Sequence, residues 1–239
     1  MSDSLHTDRD GRRVSVKVAI VDFGLGNLFS VAQACAAVGL SAHVTSNPDE
    51  VSHADGIILP GVGAIADAMA ALCDKKLDVA LTGAAADGKL VVGICLGMQL
   101  LCSRSEEFGH TEGLGIIDGV VRRLPDGMTE AQGLAAKVPE VGWNAIHAGA
   151  AWSGTPLAGT ADGEQFYFVH SFFVEPADHR RVLSTTTYGS FTYCSSVVQD
   201  NVFGFQFHPE RSGPAGLRLY RNVRSLLEAR KKQKDQGGE

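Results

Sequence analysis

Apolar positions fall into two alternating patterns along the first half of the chain. Short, near-continuous runs, VSVKVAIVD at 14–22, SAHVTS at 41–46, ADGIILPG at 54–61 and KLVVGI at 89–94, predict strands buried on both faces. Between them, NLFSVAQACAAVG at 27–39, closed by Gly39, and the stretch from Ile65 to Leu72 have helical spacing. A further helix is expected after Cys95. Strands separated by helices predict an α/β fold with a mostly parallel central sheet flanked by helices. The second half changes character. FYFVHSFFV at 166–174, RVLSTTT at 181–187, TYCSSVVQ at 192–199 and NVFGFQF at 201–207 are β-branched or aromatic runs that predict an added antiparallel portion. A helix from Pro214 to Ala229 is expected to close the fold. The pattern predicts a single domain over residues 14–229, a disordered lead at 1–13 and a solvated tail at 230–239.

Composition narrows the function classes. The chain has 239 residues, 44% hydrophobic and 20% charged, enough to bury a core without metal or disulfides. A net charge of -6 argues against nucleic acid or an anionic membrane as partner. The five cysteines form no CxxC pair, which points to a reducing cytoplasm rather than a disulfide framework or zinc site. The polar, acid-containing start is unlike a signal peptide, and no apolar run has the length of a membrane span. Nothing in the sequence points to a metal, flavin or nucleotide cofactor.

One cysteine stands apart. In VVGICLGMQLL, Cys95 lies between Gly93 and Gly97 where a buried strand runs into a helix. Gly-x-Cys-x-Gly at such a junction has the form of a nucleophile elbow with cysteine in place of serine. The glycines remove side chains that would collide with neighbouring backbone. The following helix is expected to direct its positive end at the sulfur and favour the thiolate, and the Leu96 N–H becomes an oxyanion donor. The same turn also suits a buried packing cysteine, the reading kept for Cys35, Cys73, Cys102 and Cys194. A thiol nucleophile needs a base and a group to orient it. VFGFQFHPE supplies His208 and Glu210, two apart and therefore on one side of an extended chain. The other histidines are scattered, and His170 is expected to be structural or pocket-lining.

GICLGMQLL together with FQFHPERSG resembles the class I, triad-type glutamine amidotransferases. More closely, VDFGLGNLFSV, LPGVGAIADAM, GLGIIDGVVRRLP, VPEVGWN and FYFVHSFF resemble the glutaminase subunits of imidazole glycerol phosphate synthase, over residues 18–220. The resemblance implies that Cys95 attacks the amide of L-glutamine, His208 moves the proton and Glu210 orients His208. It implies an oxyanion strand at Gly61, Val62 and Gly63, whose peptide must turn to aim an N–H. It also implies substrate contacts at Gln99, one helical turn after Cys95, and along the Ser171–Phe172 backbone. Trp143, by itself an ordinary core residue, is implied to lie at the interface with a (β/α)8-barrel cyclase subunit in a heterodimer. The family usually carries histidine at Glu140, lysine at Arg211 and commonly tyrosine at Phe23. Glu140 and Arg211 are expected to alter contacts with that partner. Another acceptor synthase, an inactive regulatory homologue and a stand-alone cysteine hydrolase are the competing readings. The DFGLGNL and PEVGWN stretches argue against the first, and the intact trio against the second.

Overall fold

The apolar runs of the first half become β1 (Lys17–Val21), β2 (Ser41–Thr45), β3 (Gly56–Gly61) and β4 (Leu90–Cys95). The computed structural model describes residues 16–129 and 133–237, so the lead expected at 1–13 lies outside the described residues. The strands lie in the order β2-β1-β3-β4, all parallel, and β14 (Val202–Phe205) joins β4 in parallel. Successive side chains of a strand face opposite ways. In β1, Val18 and Ile20 enter one core while Ala19 and Val21 enter the other. The first core also holds α1 (Leu28–Ala37) and α6 (Gly213–Gly237), through Val31, Cys35, Leu219 and Val223. The second holds α2 (Pro48–His53), α3 (Ile65–Asp74) and α4 (Leu77–Ala86), through Val51, Leu72 and Leu81. Coverage on both sides explains runs with no polar alternation.

Beyond β14 the sheet turns antiparallel. It continues through β13 (Phe191–Gln199), β11 (Phe172–Pro176) and β7 (Ile117–Arg123). It ends at β5 (Cys102–Ser105) and β6 (Thr111–Glu112). β12 (Val182–Tyr188) pairs with β13, and β9 (His147–Ala148) pairs with β12. A separate antiparallel ribbon joins β8 (Glu140–Ala145) to β10 (Gln165–His170).

Four expectations change. The run 166–174 is two strands in different sheets, β10 and β11, broken at Ser171, whose carbonyl accepts the Leu124 N–H at 2.8 Å. Nothing in its composition marks the switch, which is made by the strands it pairs with. The helix after Cys95, α5 (Leu96–Leu100), is only five residues long. α2 and α4 fill stretches for which no helix is expected. Finally, α6 continues through the expected tail to Gly237. The Arg230 guanidinium donates to the Gly88 carbonyl at 2.9 Å, and Lys231 pairs with Asp55 at 3.0 Å. These contacts and a run of good helix formers carry the helix past Ala229.

Candidate active site

Cys95 ends β4 and caps α5 with φ 54° and ψ -112°, a left-handed turn rare for a residue with a side chain. The sharp turn depends on the flanking glycines. A Cβ on Gly97 would lie 1.7 Å from the Leu59 carbonyl oxygen, and one on Gly93 would lie 2.7 Å from the Gly97 oxygen. The elbow is therefore pressed directly against β3. The field expected at the sulfur is that of a single helical turn, because α5 is so short.

The other half of the site arrives from β14. The chain leaves that strand at Phe205, and His208 precedes a 3-10 turn over Pro209–Arg211. His208 Nδ1 meets Glu210 Oε1 at 2.7 Å, with both side chains buried. The two were expected to share one side of an extended strand; instead the turn folds Glu210 back onto the ring. The loop is latched to β10. His208 N–H donates to the Tyr167 carbonyl at 2.8 Å, Tyr167 N–H donates to Ser212 Oγ at 3.0 Å, and Ser212 Oγ donates to the His208 carbonyl at 2.6 Å. Phe207, fully buried beside Phe166, Phe168 and Phe205, anchors it from below.

Cys95 Sγ and His208 face one another. His208 Nε2 is buried and has no hydrogen-bond partner among the described residues. Burial alone would lower the pKa of His208. The adjacent Cys95 and then the paired Glu210 outweigh burial and raise it to about 10. The other buried thiols show no such environment. Burial pushes Cys35 and Cys194 up to about 12 and Cys102 higher still, which keeps them inert. Cys73, expected with these packing cysteines, is exposed on α3 instead, and its thiol donates to Asp78 at 3.4 Å.

The remaining predicted residues converge to different degrees. Gly61 lies opposite Cys95 in the β3–β4 register and packs against Leu96. Val62 is 44% exposed, and Gly63 has φ +109°, so the segment leaves the sheet beside the elbow. Gln99 is buried, its Nε2 donating to the Phe172 carbonyl at 3.0 Å and to Gln206 Oε1 at 3.1 Å. Ser171 and Phe172 sit at the break between β10 and β11. Trp143 is 54% exposed on β8 and meets Tyr167 edge-on, so it is not a core residue. Arg211 is exposed, and its guanidinium lies over the Tyr167 ring, 5.2 Å from the ring centre. Glu140, expected to act on contacts with a partner, is 2% exposed and points inward. Its role must be internal.

Gln206 was missed. Its Nε2 donates to Cys95 Sγ at 3.6 Å while its oxygen accepts from Gln99. Period-two spacing from His208 was the available signal. The Val169 carbonyl, which accepts from Cys95 Sγ at 3.9 Å, carried no sequence signal.

A buried elbow cysteine faces a histidine–carboxylate pair at the parallel part of a mixed sheet, an arrangement suited to thiol chemistry. Residues 19–224 match the family model of the class-I glutamine amidotransferases, and the chain belongs to that family. Among curated relatives, the imidazole glycerol phosphate synthase subunit HisH of Moorella thermoacetica is 44% identical over 88% of this chain and 95% of its own. The HisH subunit of Syntrophotalea carbinolica is 45% identical over 86% of this chain and 98% of its own, and within the class the chain falls among the HisH subunits. The solved structure of PurLQS from Thermotoga maritima shares the fold, with a TM-score of 0.65 at 20% identity over 90% of this chain and 100% of that one.

Proposed function

We propose that the chain is the glutaminase subunit of an imidazole glycerol phosphate synthase, with Cys95, His208 and Glu210 as its catalytic trio. The observation that carries this is the buried Cys95–His208–Glu210 arrangement, with His208 raised to about 10. In the proposed cycle the Cys95 thiolate attacks the side-chain amide carbon of L-glutamine. The oxyanion is received by backbone N–H groups of Leu96 and the Gly61–Gly63 segment. The His208 imidazolium gives its proton to the departing nitrogen, and ammonia leaves. Neutral His208 then takes a proton from water, whose oxygen attacks the glutamyl thioester. Glutamate and one proton are released, and the thiolate–imidazolium pair is restored.

Free ammonia in water at neutral pH is mostly ammonium, a poor nucleophile, so a synthetic use needs a protected path. A separate (β/α)8-barrel cyclase subunit would receive it and form imidazole glycerol phosphate and an aminoimidazole carboxamide ribotide in the cytoplasm. Trp143, Val141 and Leu134, each more than half exposed, support a docking face there. No helix among the described residues is long and apolar enough to cross a membrane. Rotation of one peptide near Val62 would switch the oxyanion donor on when the partner is loaded.

The test is glutamate release by the purified chain, alone and with a barrel cyclase plus its nucleotide ligand, beside a Cys95→Ala control. Low activity alone and a large Cys95-dependent rise with the partner are expected. Cys95-dependent activity that the cyclase does not raise would keep the amidotransferase and remove this acceptor. A high partner-independent rate would remove the peptide switch.

A further inference from the structure

We propose that Glu140 and His170 form a buried ion pair that positions the substrate side of the thiol site by clamping the Phe172 carbonyl. The proposal rests on the glutaminase reading above. Glu140 on β8 and His170 on β10 are directly opposed in the ribbon register, and both are buried. Glu140 Oε1 accepts from Asn144 Nδ2 at 2.9 Å, and Oε2 accepts the Tyr193 hydroxyl at 2.8 Å. His170 Nε2 lies 3.3 Å from Glu140 Oε2 and 3.0 Å from the Tyr193 oxygen. His170 Nδ1 lies 2.8 Å from the Phe172 carbonyl oxygen.

One placement of protons satisfies every contact and makes the two groups an ion pair. A carbonyl only accepts, so Nδ1 carries a hydrogen. The Tyr193 hydrogen points to Glu140, so Tyr193 and the carboxylate both present lone pairs to Nε2. In the proposed pair that nitrogen carries a hydrogen as well, with Glu140 as counter-ion. Burial, and then the Glu140 charge, hold the Tyr193 phenol well above its ordinary range, so it remains a donor. An isolated charge at this depth would be costly, whereas the hydrogen-bonded pair is compensated.

The pair acts on the site through a continuous chain of contacts. The Phe172 carbonyl receives His170 Nδ1 and also Gln99 Nε2. Gln99 holds Gln206, and Gln206 donates to Cys95 Sγ. A charge-assisted donor fixes this carbonyl more firmly than a neutral one. Glu140 is buried at the start of β8, the strand whose exposed side chains include Val141 and Trp143. The titratable groups facing His170 are Glu140 from β8 and Tyr193 from β13. β11 contributes only the Phe172 backbone, and Phe168 on its own strand contributes a ring 5.8 Å away.

The experiment measures glutamine kinetics of the full chain with its cyclase partner, for wild type, His170→Leu, His170→Asn and Glu140→Gln, after thermal unfolding establishes that each folds. His170→Leu should raise KM about tenfold or more, as expected for losing a charged hydrogen bond. His170→Asn keeps a donor toward Phe172 and should recover most of that loss. Glu140→Gln keeps the shape but removes the counter-ion's charge, and should raise KM severalfold with kcat little changed. Folded His170→Leu and His170→Asn variants with the same KM, or a Glu140→Gln KM equal to wild type, would overturn the proposal. A wild-type chain lacking Cys95-dependent glutaminase would overturn the functional reading and this inference together.

Discussion

Replacing Glu210 with glutamine tests the central electrostatic claim. The substitution keeps a side chain of the same shape 2.7 Å from His208 Nδ1 and removes only its charge. In the folded protein the imidazole titrates at about 10, against 6.5 unperturbed. At about 1.4 kcal/mol per unit, the site favours the cation by about 5 kcal/mol, and its partners supply more than this because burial opposes them. Cys95 is the larger contributor and Glu210 the second. Removing an adjacent opposite charge shifts a pKa by about 1–3 units, so the variant should titrate at roughly 7–9. In the proposed cycle the imidazolium donates to the departing amine, so activity should be lost as pH rises. The assay is the pH dependence of kcat/KM for glutamate release with the cyclase bound. The high-pH limb of Glu210→Gln should fall one to three units earlier, about as far as the shift in pKa. That limb belongs to the coupled Cys95–His208 pair rather than to either residue. The neutral-pH rate should drop by about two to four orders of magnitude through lost orientation. Stability follows the same linkage. A folded pKa above the unfolded one contributes stability that is complete below about 6.5 and disappears as pH rises through about 10. The variant should therefore be destabilised at pH 6 to 8, with the difference closing toward high pH. Superimposable high-pH limbs and a neutral rate within about threefold of wild type would refute the reasoning.

Two further outcomes test the scaffold. Gly97→Ala places a Cβ 1.7 Å from the Leu59 oxygen, so it should destabilise by about 3 kcal/mol or more despite alanine's better helix propensity, and a denaturation midpoint equal to wild type would contradict the close contact. The Tyr220 hydroxyl is buried without a hydrogen-bond partner among the described residues, so Tyr220→Phe should be neutral or slightly stabilising in the same assay, whereas a loss above about 1 kcal/mol would reveal a bound water or a contact with Glu210.

The ribbon of β8 and β10 organises the site from the side opposite the elbow. Tyr167 latches the His208 loop, the Val169 carbonyl faces the thiol, and His170 reaches the Phe172 carbonyl. All three lie in one six-residue strand whose partner strand carries Trp143 on its exposed side. A partner docking on Trp143 would press on a ribbon already bonded to both halves of the site.

The parallel half of the fold was legible because its signals are local. Runs buried on both faces, helical spacing and the glycine elbow each follow from a few consecutive residues and their backbone geometry. Cys95, His208 and Glu210 stood out as candidates because the glycine elbow and the His-Pro-Glu spacing are local, although the turn that folds Glu210 back onto His208 was not read. What decided the rest was pairing between segments far apart in sequence. FYFVHSFFV reads as one strand, yet its halves hydrogen-bond to β8 and to β7, and no propensity marks the break at Ser171. The expected tail became helix because Asp55 and Gly88 hold it. Glu140, a charged residue that the sequence suggested would face a partner, is buried because His170, Tyr193 and Asn144 surround it with compensating hydrogen bonds. Sequence determined which residues could do the chemistry. Only the tertiary structure decided which polar groups could afford burial, because that depends on partners no local pattern contains.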